Sequence, residues 1–91
     1  MDTMKISATI DHMVRNEQKI KAYASVTLAD AFKIHGIRVL DGNDGLYVTM
    51  PQRSYEKDGE VRYVDVFHPV TREVRNVLTE AVLAAYKRAL E

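Results

Sequence analysis

Hydrophobic and polar residues alternate with period two through the first half of the chain, then with period 3.6 over its last quarter. From Lys5 to Val14, Ile6, Ala8, Ile10, His12 and Val14 alternate with Ser7, Thr9, Asp11 and Met13, which predicts a half-buried strand. Arg15-Asn16-Glu17-Gln18 is a polar break. Ile20, Ala22, Ala24, Val26 and Leu28 then alternate with Lys21, Tyr23, Ser25 and Thr27, so a second strand follows and the two form a hairpin. After the short Ala29-Asp30-Ala31 turn, Phe32 and Ile34 fall on one parity while Ile37 and Val39 fall on the other. Gly36 sits at the switch, as a β-bulge or sharp bend requires. Asp41-Gly42-Asn43-Asp44-Gly45 is a cluster of turn formers, and a fourth strand runs from Leu46 to Met50 before Pro51.

Beyond Pro51 the pattern weakens. Gln52 to Glu60 reads as a polar, charged loop with a turn at Lys57-Asp58-Gly59. Val61, Tyr63 and Val66-Phe67 suggest a short extended piece, stopped by His68-Pro69. From Thr71 the stripe Val74, Val77, Leu78, Ala81, Val82, Ala85, Tyr86 and Ala89 predicts an amphipathic helix over about 71–90, with Thr71 as N-cap. The expected class is therefore α+β: a small antiparallel sheet of four to five strands within about 5–67, then one C-terminal helix, in a single domain over 1–91.

One helix covers one sheet face, yet the third strand offers apolar residues on both parities. A chain of 91 residues has little margin against chain entropy. Pairing of two protomers answers both difficulties, so a homodimer is expected.

Composition narrows the chemistry. There is no Cys, which removes disulfides and thiolate metal sites. No apolar run approaches the roughly 20 residues of a membrane span, and Met1 to Ile10 do not resemble a signal peptide, so a cytoplasmic protein without a membrane partner is expected. Lys plus Arg number 13 and Asp plus Glu number 13, a zero balance that argues against coating DNA by bulk attraction. Any nucleic-acid role must rest on a local basic patch. His12, His35 and His68 lack the spacing of a zinc site; His12 and His35 could meet across neighbouring strands, but separate strand-face histidines are the better reading. Asp41, Asn43 and Asp44 read as turn residues, and Ser7, Ser25 and Ser54 have neither a nucleophile elbow nor a nearby base. Nothing calls for an enzyme, a metal, another cofactor or a small-molecule substrate.

The basic residues are more informative. Arg53 and Lys57 lie after the fourth strand, Arg62 just beyond them, and Arg38 on the third strand, with Tyr55 and Tyr63 interleaved. Flexible cations neutralise phosphates and aromatic faces stack bases. Glu56, Asp58 and Glu60 sit among them, so spacing alone fits a solvated, mixed-charge loop better. Arg72 and Arg75 oppose the helix dipole at its N-terminus, a second weak pointer to phosphate.

Several ordered blocks resemble the stage V sporulation protein G (SpoVG) family. They are Lys21-Ala22-Tyr23-Ala24-Ser25-Val26-Thr27, Phe32-Lys33-Ile34-His35-Gly36-Ile37-Arg38-Val39, Asp41 through Pro51, His68-Pro69-Val70 and Ala81 through Tyr86. The likeness runs from Met4 to Tyr86. It implies a dimeric bacterial regulator that binds DNA and/or RNA and affects gene expression, sporulation or cell division (septation). It also implies that contacts come from the basic loop after Met-Pro, which falls here on Gln52, Arg53 and Ser54, with Arg62 matching a family Arg. Arg53, Lys57 and Arg62 are thus the expected phosphate contacts, supported by Gln52 and Arg38. One cation of the family's basic pair is missing, and Thr9, Asp11 and His12 replace first-strand arginines, so weaker or more salt-sensitive binding is expected, with the slope of log affinity against log salt reduced in magnitude by roughly one for the lost cation. A protein-interaction adaptor without direct nucleic-acid binding is the alternative.

Overall fold

A computed structural model describes residues 4–14 and 19–91. Strands β1 (Ile6–Met13), β2 (Ile20–Leu28), β3 (Phe32–Gly42) and β4 (Gly45–Thr49) form an antiparallel sheet in the order β1-β2-β3-β4. A separate two-stranded sheet follows, β5 (Gln52–Lys57) with β6 (Glu60–Asp65), and helix α1 (Arg72–Leu90) closes the chain. The fold is α+β. The polar break at 15–18 lies outside the described residues.

The turns follow from their residues. β3 and β4 are joined through Asn43-Asp44, with Gly42 opposite Gly45. The β2–β3 turn is closed by the Ala31 amide donating to the Leu28 carbonyl at 2.9 Å, with Ala29 and Asp30 both at positive φ. That is the handedness a two-residue hairpin turn demands, filled at Ala29 by a residue with a Cβ.

Gly36, at φ +87°, forms the bulge that the parity switch predicts. His35 and Gly36 lie between the Ala24–Ile37 and Val26–Ile34 pairs, where β2 has only Ser25. The extra residue returns Ile37 to the face already occupied by Ile34. Apolar residues on two parities therefore share one face, which corrects the premise that β3 must bury both of its sides.

The core lies between that face and α1. Ala22, Ala24, Val26, Ile37, Val39 and Met50 pack with Leu78, Val82 and Tyr86, and Ile6, Ala8, Ile10, Val48 and Leu83 border them. α1 makes its closest approach to β1 rather than to β2. Thr71 caps α1, its Oγ1 accepting from the Val74 amide at 3.1 Å. The predicted stripe holds, except that Ala89 near the helix end is exposed.

The segment read as a loop after the fourth strand is instead β5, paired with β6 in a two-residue hairpin. Asp58 and Gly59 at its tip have φ of 53° and 80°, fitting a type I′ turn. The strand escapes sequence reading because β5 is polar on both faces and exposed throughout, leaving no apolar alternation.

Candidate nucleic-acid interface

Register sorts the hairpin's charges. Side chains alternate along each strand, and the pairs Arg53–Val64, Tyr55–Arg62 and Lys57–Glu60 place Arg53, Tyr55 and Lys57 with Arg62 and Glu60 on one face. That face carries three cations and one carboxylate, Glu60, which accepts from Arg62 at 3.1 Å. Arg53, Lys57 and Arg62 are thus brought together with an aromatic ring among them, although the whole chain is neutral.

The opposite hairpin face is built from the pairs Gln52–Asp65, Ser54–Tyr63 and Glu56–Val61. Gln52 and Arg38 fall here, apart from the three cations. The Arg38 guanidinium donates to Gln52 Oε1 at 3.3 Å, and Gln52 Nε2 donates to Asp65 Oδ1 at 2.9 Å. Arg38, Gln52, Ser54 and Tyr63 line an open cleft of about 420 Å³ where the hairpin meets the sheet. The five expected residues thus make two adjoining sets: a cationic hairpin face and a polar cleft.

Pattern reading missed a third set, on the sheet face turned away from α1. Pairing places His12 beside Tyr23, Tyr23 beside Arg38 and Arg38 beside Thr49 in one row across all four strands. The His12 and Tyr23 rings lie 6.3 Å apart and 29° from parallel. Lys19 Nζ sits 5.6 Å from the centroid of Tyr47, another ring on this side. The signal available in sequence was the polar parity of the strands, which shows which residues face outward but not which of them align.

The histidines do not converge. His12 and His35 lie on β1 and β3 with β2 between them. His35 Nδ1 is 4.0 Å from Asp11 Oδ2, while Asp11 Oδ1 accepts from the nearly buried Ser25 hydroxyl at 3.2 Å. Asp11 occupies a bulge in β1, between the Ile10–Ala24 and His12–Tyr23 pairs. Among the described residues no three His, Asp or Glu side chains are grouped to hold a metal ion, and no helix is long and apolar enough to cross a membrane.

Comparison with known proteins gives one consistent result. The SpoVG family model matches residues 4–88. A relative from Clostridioides difficile (strain 630) is 40% identical over 87 residues, covering 96% of this chain and 91% of its own. One from Geobacillus thermodenitrificans (strain NG80-2) is 47% identical over 75 residues, 82% of this chain and 75% of its own. One from Archaeoglobus fulgidus is 48% identical over 68 residues, 75% of this chain and 76% of its own. All three bear the name SpoVG and are described as candidate septation proteins rather than by a reaction.

Proposed function

The chain belongs to the SpoVG family, and from that premise we propose that it is a dimeric cytoplasmic regulator that binds DNA or RNA through the β5–β6 hairpin, acting in gene expression and septation. The observation that carries this reading is the sorting of Arg53, Lys57 and Arg62 with Tyr55 onto one exposed hairpin face. Those cations neutralise backbone phosphates, which fixes position and supplies salt-dependent affinity with little sequence information. Glu60 already holds Arg62, so Arg53 and Lys57 supply most of the attraction. Gln52 and Arg38, tied together in the adjoining cleft, contribute donors without the free charge of the outer face.

Dimerisation is supported by what one protomer leaves uncovered. A hairpin standing alone is marginal in water. Val61, Val66 and Val70 are all more than half exposed. A second protomer shields such surface and brings a second cationic hairpin to the same ligand, where the two act with raised effective concentration.

The test is fluorescence anisotropy of labelled single-stranded RNA and duplex DNA at about 50 and about 200 mM salt, with light scattering on the free protein. Binding that collapses at the higher salt, from a dimer, is the expected result; no binding at the lower salt removes the reading.

A second reading, a protein-interaction adaptor, draws on the apolar groove of about 250 Å³ lined by Met4, Leu28, Phe67, Val70, Val74 and Leu78. It predicts a protein partner that survives nuclease treatment and a chain with no affinity for either oligonucleotide.

A further inference from the structure

Among the described residues no element packs over the sheet face turned away from α1, and its composition is not that of a core. Ser7, Thr9 and Lys33 on it are exposed, and Tyr23 and Tyr47 each keep 38% of their surface in solvent. Protein interface cores are depleted in charge, with Tyr, Phe, Met and Arg enriched. Here exposed hydroxyls and lysines surround one small apolar group, Ile20, Leu40 and Tyr47, while the more exposed Phe32, Val66 and Val70 lie elsewhere. A second copy of the chain therefore has better surfaces to dock on.

Four features suit an unpaired nucleic-acid strand instead. The His12–Tyr23–Arg38 row sets two ring faces and a guanidinium side by side across three strands, and planar groups of this kind stack bases. Lys33 flanks the row toward one end of β3, and Lys19 stands over Tyr47 at the other. Asp11, the carboxylate on this face, accepts from the Ser25 hydroxyl at 3.2 Å and lies 4.0 Å from His35 Nδ1. Arg38 in this row also lines the cleft, so a strand crossing the sheet meets Gln52, Ser54 and Tyr63, itself 67% exposed.

We infer that this open face is a stacking platform for unpaired bases, with the Arg38–Gln52–Ser54–Tyr63 cleft at its end, and that it gives the protein a preference for single-stranded RNA or DNA over duplex. A duplex hides its base faces in its own stack, so it gains nothing from Tyr23 and meets only the cations. This rests on the nucleic-acid reading above and adds to it a division of labour. The hairpin cations hold phosphate in any nucleic acid; the sheet face selects unpaired bases.

The experiment compares wild type, Tyr23→Ala, Tyr23→Phe and the Arg53→Ala/Lys57→Ala double variant. Each is titrated with fluorescein-labelled oligouridylate, with the same length of abasic strand and with duplex DNA. Tyr23→Ala should lose roughly 5- to 150-fold in oligouridylate affinity while its duplex affinity stays the same. Tyr23→Phe keeps the ring and should bind as wild type does. Wild type should bind the abasic strand at least as weakly as Tyr23→Ala binds oligouridylate, a result that a general loss of fold would not produce. Thermal melts of all variants guard against unfolding.

If Tyr23→Ala binds oligouridylate as wild type does while the double variant is weakened, the platform is wrong and the hairpin reading stands. An equal loss on single strand and duplex also overturns the platform. If wild type binds none of the three probes, the functional reading itself fails and the platform with it.

Discussion

The four-stranded sheet and the β5–β6 hairpin use the same antiparallel ladder and are held by different forces. The sheet has one face sealed by α1, with Val26, Ile37, Val39, Leu78 and Val82 wholly buried. Burial at about 25 cal/mol per Å² of apolar surface makes that layer the main source of stability. The hairpin has no residue in the core and rests on its ladder, its Asp58-Gly59 turn and cross-strand pairs such as Tyr55–Arg62. Residues in the sheet are constrained by packing, whereas the hairpin side chains are largely exposed to solvent. Stability and binding can therefore be altered separately.

The largest effect that separates the two regions is expected at the core. Ile37→Ala should cost about 2–5 kcal/mol in a denaturant titration, a large share of the stability of a chain this size. A loss under 1 kcal/mol would mean that the helix does not seal this face. The paired hairpin substitution Arg53→Ala/Lys57→Ala should shift stability by no more than about 0.5 kcal/mol in the same titration. A larger fall would show that the hairpin braces the body and would blur the contrast.

Between those extremes lies the joint. Gly36→Ala puts a Cβ at φ +87° and 3.4 Å from Pro51 Cβ, immediately ahead of β5. The left-handed conformation alone costs about 1–2 kcal/mol for a residue with a Cβ. The thermal midpoint should fall accordingly, and hydrogen exchange in β5 should quicken if the hairpin is seated through that contact. Thr71→Ala should lose about 1 kcal/mol by removing the cap on α1, without changing hairpin exchange. One further small effect has the opposite sign. Ala29→Gly relieves a positive φ of 53° and should raise stability by about 0.5 kcal/mol, seen as an upward shift of the denaturation midpoint.

Much of the body was readable in sequence because its faces differ in polarity. The strands that build the sheet, the helix with its Thr71 cap and the bulge at Gly36 all announce themselves through a period or a break in one. β5 did not, because Gln52, Ser54 and Glu56 on one side and Arg53, Tyr55 and Lys57 on the other give no apolar face to detect. The candidate site divides in the same way. Arg53, Lys57 and Arg62 were visible as cations near one another, but their common face depends on the Tyr55–Arg62 register. The His12–Tyr23–Arg38 row was further from reach, since aligning it requires the extra residues at both Asp11 and Gly36 to be counted.

The central claim is that Arg53 and Lys57 on the hairpin, rather than the cations of the sheet and helix, hold phosphate. The slope of log affinity against log salt tests it directly, on duplex DNA, for wild type and the Arg53→Ala/Lys57→Ala variant. Each lost phosphate contact removes about 0.9 from the magnitude of that slope, so the variant should be shallower by roughly 1.8 for each hairpin engaged, or roughly 3.6 when both hairpins of a dimer hold the duplex. Equal slopes for the two proteins would contradict the account and move the phosphate contacts elsewhere on the molecule.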